Sequence, residues 1–160
     1  MRLTFTILLF ALVATSTAQF GRYFKNRTLR FDYFHSGSFE VEYVMPDEMI
    51  VEGKWAGPRK NLIDPFDYGA DKIMVYDSVS DKLIFTKGFS SLFIEYQATE
   101  EAKSQCGNFP ESILMPLPKK TVRLEYYSRG KDMIWVKRYE SFINPKKDDF
   151  KIKTGNTYPA

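Results

Sequence analysis

The sequence predicts an all-β protein, a β-sandwich of antiparallel sheets with seven to nine strands and one short helix near residues 99–106. Apolar and polar residues alternate with period two in short runs, and clusters of Gly, Ser, Asp and Pro punctuate those runs. The chain is also rich in aromatics, with 14 Phe, 10 Tyr and 2 Trp in 160 residues, and these types favour pleated strands. Strands at this spacing favour a sandwich over an open sheet, because both faces of each strand then find cover.

Residues 1–18 read as a signal peptide. Arg2 supplies a short positive region, Leu3 to Val13 an apolar stretch, and Ser16-Thr17-Ala18 the small residues that signal peptidase needs. This predicts cleavage after Ala18 and a secreted or periplasmic protein. The apolar run is shorter than the roughly 20 residues of a spanning helix, so no membrane attachment is expected once the signal is removed. Thr28 to His35 then alternates around Leu29, Phe31 and Tyr33, and Ser36-Gly37-Ser38 turns the chain into Phe39 to Tyr43, a hairpin. Pro46 to Gly69 has little periodicity and reads as a long loop with a short strand near Met49 to Val51. Lys72 to Asp77 and Lys82 to Lys87 flank the turn at Ser78-Val79-Ser80-Asp81, and a further strand is expected over Ser90 to Tyr96.

Thr99 as N-cap, with Glu100 and Glu101 in the first turn, predicts the helix, and Gly107 ends it. Pro116-Leu117-Pro118 reads as a stiff connector. In the last hairpin Val122, Leu124 and Tyr126 share one face, and Arg129-Gly130-Lys131-Asp132 turns the chain into Met133 to Ile143. One domain over residues 19–150, followed by a polar tail or the start of a linker over 151–160, completes the organisation.

Composition argues against most chemistry. A net charge of +3 is too small to point to nucleic acid. One Cys cannot form an internal disulfide, and one His with one Cys cannot make an ordinary zinc site. Any Ser-His or Cys-His pairing would have to run through His35. That residue sits at the mouth of a hairpin, where a bond to the turn backbone is expected. Asp32, Asp64, Asp67 and Asp71 do not have the spacing of a calcium-binding loop and are expected to form turns. Cys106, beside Gly107, is expected to be a buried or half-buried free thiol, with an intermolecular disulfide as the other reading. No catalytic residue, metal ligand or cofactor site is assigned to this chain.

Thr28-Leu29-Arg30-Phe31-Asp32-Tyr33-Phe34-His35-Ser36-Gly37, Trp55-Ala56-Gly57-Pro58 and Asn61-Leu62-Ile63-Asp64 together carry a family resemblance. Gly88-Phe89-Ser90-Ser91-Leu92-Phe93, Thr99-Glu100-Glu101-Ala102, Glu111-Ser112, Pro116-Leu117-Pro118-Lys119 and Ile143-Asn144-Pro145 extend it. In order and spacing these segments resemble the N-terminal domain of the secreted bacterial IgA peptidases (metallopeptidase family sixty-four), over about residues 24 to 150. Tyr96 and Asn144 stand where many relatives would carry Trp and Asp. The resemblance implies a β-rich accessory domain preceding a zinc endopeptidase domain with a His-Glu-x-x-His helix. Such a helix needs two His one turn apart to hold zinc and a Glu to polarise water, and this chain lacks it. Zinc is therefore expected only in a downstream catalytic domain, which would be the partner in cis.

The aromatics leave two readings open. Trp55, Tyr68, Trp135 and Tyr139 are candidates for a docking or ligand surface, suited to a protein partner or to glycan rings. Alternatively they fill a two-layer core, and Trp55, followed by Leu62, Ile63 and Phe66, plugs an open end of the sandwich. A stand-alone secreted binding module is the alternative to the accessory domain.

Overall fold

Strict alternation from Leu29 to His35 puts Leu29, Phe31, Tyr33 and His35 on one face of a strand, and all four are at most 2% exposed. The computed structural model describes residues 19–147 and 150–152. Among them are eight strands: β1 (Phe24–Gly37), β2 (Glu42–Val51), β3 (Asp71–Asp77), β4 (Leu83–Phe89), β5 (Gly107–Pro118), β6 (Val122–Arg129), β7 (Trp135–Ile143) and the two-residue β8 (Lys151–Ile152). One helix, α1 (Leu92–Gln97), follows β4, and residues 19–23 are also helical. The expected signal peptide and the tail from residue 153 lie outside the described residues.

Two four-stranded sheets face each other, ordered β5-β1-β2-β8 and β4-β3-β6-β7. All pairings are antiparallel except that of β8, which runs parallel to β2 at Ile50 and Val51. This is the all-β sandwich expected. Phe31, Ile113 and Met115 from the first sheet meet Ile73, Val75, Leu124 and Tyr126 from the second in one core cluster. Two bulges add to what the sheets can bury. Between Val75 and Tyr76 of β3, the partner strand β4 advances from Phe85 to Leu83, and the extra residue lets both Ile84 and Phe85 go inward, at 0% and 2% exposure. A second bulge in β7 inserts Arg138 between Tyr139, opposite Tyr126, and Lys137, opposite Tyr127.

Several elements depart from the sequence reading. β2 runs through Pro46 to Val51, so the irregular loop starts only at Glu52. Ser90 to Tyr96 is not a strand: the Ser91 hydroxyl accepts from the Ile94 N–H (3.4 Å), and α1 follows with only Phe93 buried. The helix expected at 99–106 shrinks to a 3₁₀ turn at Glu101–Lys103, where the Thr99 hydroxyl accepts from the Ala102 N–H at 3.3 Å. Residues 107–118, read partly as a connector, form the long strand β5. Its prolines, Pro110, Pro116 and Pro118, occupy an edge strand. They share parity, so their missing N–H groups fall on one side, where no ladder bond is lost.

The loop from Glu52 to Ala70 folds onto the end of the core. Trp55 is 7% exposed, lies edge-on to Phe85 and donates its indole N–H to the Pro58 carbonyl at 3.0 Å. Gly57 lies against the indole: a Cβ there would sit 2.2 Å from Cζ2 of the ring. Trp55 is thus the plug and not a solvent-facing ring. Trp55→Ala is expected to destabilise the protein by about 3–5 kcal/mol, as for other buried large aromatics. Denaturant unfolding measures it, and an unchanged midpoint would remove Trp55 from that role.

Candidate functional site

The alternation that buries Phe31 and Tyr33 also carries polar side chains inward at the opposite end of the sandwich. His35 of β1, Glu42 of β2 and Glu111 of β5 come from the first sheet, and Asp71 of β3 with Tyr126 and Ser128 of β6 come from the second. His35 has no exposed surface. Its Nε2 lies 2.9 Å from Glu42 Oε1 and its Nδ1 lies 3.3 Å from Glu111 Oε2. With a carboxylate on each side, both ring nitrogens donate and the ring is an imidazolium. Burial alone would lower its pKa. The bonds to Glu111 and Glu42 and the charges of Glu42 and Asp71 outweigh that and raise it to about 9.

Each carboxylate also fastens a further element. Glu111 Oε2 accepts from the Tyr33 hydroxyl (2.8 Å), and its Oε1 accepts from the Leu92 and Phe93 N–H groups (2.9 and 3.2 Å), pinning the first turn of α1. Burial pushes the Glu111 carboxyl up, but the bonds from His35, Tyr33 and the Phe93 N–H hold it below its ordinary value. Glu42 Oε2 reaches across to the second sheet, accepting from the Ser128 hydroxyl at 2.8 Å and pairing with Arg138 Nη2 at 2.9 Å. The bulge in β7 is what turns Arg138 inward, and its Nε donates to Ser128 Oγ at 2.9 Å. Asp71 accepts from the Tyr126 hydroxyl (3.0 Å) and the Ser91 N–H (3.1 Å), and burial raises its pKa to about 6. The Phe93 ring closes the cluster, its centroid 4.2 Å from that of His35.

One donor atom from each of His35, Glu42 and Asp71 lies within 4.8 Å of the others, which invites comparison with a metal centre. The set does not fit zinc. A zinc-bound imidazole needs a free lone pair, whereas both nitrogens of His35 donate to carboxylates, and every oxygen of Glu42 and Asp71 already accepts a bond. Arg138 stands beside Glu42 as a second cation of the cluster.

Two expectations about these residues need correction. His35 bonds to two interior carboxylates and not to turn backbone, and Asp71 is a fully buried strand residue and not a turn former. The sequence did hold the signal for His35, which shares the parity of Leu29, Phe31 and Tyr33. Nothing in it indicated that Glu42, Glu111 and Arg138 would converge there. Asp64 does form a turn, accepting from the Phe66 N–H at 2.9 Å, while Asp32 is a β1 strand residue and not a turn former, binding Arg30 and Ser112 on the outer face. Cys106 is a free thiol as expected, but exposed.

The four candidate surface aromatics divide. Trp55 is buried, and Tyr139 packs on the core, stacked with Phe31 at 6.0 Å, so neither presents a ring to a ligand. Tyr68 is 75% exposed and stacks on Phe66 at 5.6 Å. Trp135 donates to Asp67 Oδ2 (2.7 Å) and carries Lys72 and Arg129 about 4 Å from its ring centroid. Asp67 thus links the Tyr68 loop to the β6–β7 hairpin. Arg129 strengthens the link by donating to the carbonyls of both Asp67 (2.8 Å) and Met133 (3.1 Å). Exposed Phe66, Tyr68, Met133 and Ile134 therefore gather at one end of the sandwich.

The family model described as Peptidase M64 N-terminus matches residues 19–140. The chain belongs to this family. The match agrees with the sequence resemblance and spans β1 to β6 and most of β7. No curated protein matches the chain. As the N-terminal part of a peptidase family, this domain has its single His locked inside the fold.

The ion cluster makes stability depend on pH. His35 has a folded pKa of about 9 against an ordinary 6.5, so its contribution is complete below about pH 6.5 and is lost as pH rises through 9. The size of that contribution is on the order of 3 kcal/mol. Asp71 acts in the same sense in a more acidic range, favouring the fold at low pH and losing that advantage as pH rises through about 6. Glu111 contributes above its ordinary range and loses that contribution as pH falls. Unfolding free energy measured from pH 6 to 10 is expected to decline on the alkaline side, and His35→Gln should be less stable at pH 7 with a flatter alkaline limb. A wild-type profile flat to pH 10 would contradict the charged His35.

Proposed function

We infer that this chain is a non-catalytic accessory domain of a secreted zinc metallopeptidase of the IgA peptidase type, assisting folding, docking or substrate presentation. The observation that carries this reading is the fate of His35. The only imidazole in the chain is enclosed with both nitrogens engaged, so it can serve neither as a general base nor as a zinc ligand. Hydrolysis would belong to a zinc domain in the same polypeptide, the partner in cis. The docking surface is the exposed cluster of Phe66, Tyr68, Met133 and Ile134 next to Trp135, in which aromatic and apolar side chains are held on loops tied together by Arg129. A free-standing glycan platform would need open ring faces in a strip. Trp135 instead carries two cations, and Phe66 and Tyr68 face each other.

The test pairs the purified chain with a zinc endopeptidase domain of the same family. The chain alone should hydrolyse no peptide with added zinc. The double variant Phe66→Ala, Tyr68→Ala should weaken association with the peptidase domain while changing stability by no more than about 1 kcal/mol. Zinc-dependent proteolysis that survives purification and disappears in a His35 variant would overturn the reading. Export is part of the same proposal: N-terminal sequencing of the exported protein should begin at Gln19, and retention of Met1 in a membrane fraction would oppose it.

A further inference from the structure

A cavity of about 650 Å³ opens at the polar end of the sandwich, between the β1–β2 turn, the end of α1 and the β6–β7 turn. The pair of Glu42 and Arg138 lies in its wall. Bonds within the protein fix its shape. The Phe39 N–H donates to the Ala102 carbonyl (2.9 Å), Gln97 Nε2 to the Ser38 carbonyl (2.9 Å) and the Gly130 N–H to the Ile134 carbonyl (2.8 Å). A volume of this order with walls already set is typical of small-molecule sites, and a ligand would not have to order the loops on entering.

The charges on the wall are unequally occupied. Glu42 is saturated by His35, Ser128 and Arg138, and Arg129 donates to the carbonyls of Gly69, Met133 and Asp67. Lys131 differs. Its ammonium rests 3.4 Å from the centroid of the Phe39 ring, which fixes its place, and its contact with that ring is not accompanied by a salt bridge among the described residues. The Arg138 guanidinium, with a side chain 25% exposed, is a second cation there, already bound to Glu42 through Nη2 and to Ser128 through Nε. Opposite in sign are the exposed Glu40 and Asp132, the latter using Oδ1 to accept the Ile134 N–H at 3.1 Å. Phe39 and Ile94 supply the apolar part of the lining.

We propose that this cavity binds an α-carboxylate that carries a neighbouring N–H group and an apolar side chain, as at a peptide C terminus or in a free amino acid. The carboxylate is held by Lys131 and Arg138, the N–H group by Glu40 or Asp132, and the side chain by Phe39 and Ile94. A carboxylate gains charge-assisted bonds from both cations, whereas the corresponding amide does not. The binding needs no peptidase domain and stands independently of the docking role.

The experiment is an NMR titration of the ¹⁵N-labelled protein with N-acetyl-L-phenylalanine, L-phenylalanine and N-acetyl-L-phenylalanine amide. Saturable shifts are expected at Phe39, Ile94 and Lys131 with the two acids, and binding of the amide should be about tenfold weaker or more. Lys131→Met, at an exposed position, should keep the rest of the spectrum and bind the acids about tenfold less tightly, with Lys131→Arg restoring them. Tighter binding of the acetylated acid assigns the site to peptide ends, and tighter binding of phenylalanine assigns it to free amino acids. Equal affinity for acid and amide, an unchanged Lys131→Met, or no saturable shift would overturn the proposal.

Discussion

Glu42 and Glu111 hold His35 between them inside the sandwich, and much of one end of the molecule follows from that contact. A neutral imidazole has one donor and one acceptor, so it would leave one of the two carboxylates facing a lone pair. With Asp71 close by, three carboxyl groups crowd together with little exposed surface, and the positive charges of His35 and Arg138 are what let them stay there. The carboxylates have bonds left over for other elements. Glu111 takes the first turn of α1, Glu42 takes β6 and β7, and Asp71 takes Ser91 and Tyr126. The two sheets and the helix are therefore joined through the same small group of charges.

Such a cluster is weak evidence for stability, since well-packed apolar residues in its place can do as well. Its effect is clearer on register. A one-residue slip of β1 would turn His35 outward and leave Glu42 and Glu111 buried without their cation. The other end of the sandwich is built by different means. There Trp55, Leu62, Phe24 and Phe85 close the core with apolar surface, and the missing side chain at Gly57 leaves room for the indole. One end is specified by charge and geometry, the other by packing.

The same division bears on function. In the Peptidase M64 N-terminus family, the imidazole that a reader of the sequence would first suspect of chemistry is a structural cation in this chain. The groups proposed for partner and ligand contacts lie outside the core. They are an aromatic and apolar cluster tied together through Asp67 and Arg129, and a neighbouring cavity whose Lys131 has a ring beneath it and no salt bridge among the described residues.

Period-two alternation was enough to determine the fold class, the hairpins at 28–43 and 122–143 and the interior face of β1, because side-chain direction in a strand depends only on parity. The short helix was misplaced for an equally local reason. Ser91-Leu92-Phe93-Ile94 looks like a strand in isolation, and its helical form depends on N–H groups bound by Glu111, which lies 18 and 19 residues further on. β5 was hidden because prolines exclude a central strand, and only the sheet order shows that this one is an edge. The meeting of His35, Glu42, Glu111, Asp71 and Arg138 was decided by tertiary structure alone. Those residues come from five strands in two sheets, the bulge that turns Arg138 inward is a property of pairing, and neither pairing nor sheet stacking is encoded in the spacing of any one segment.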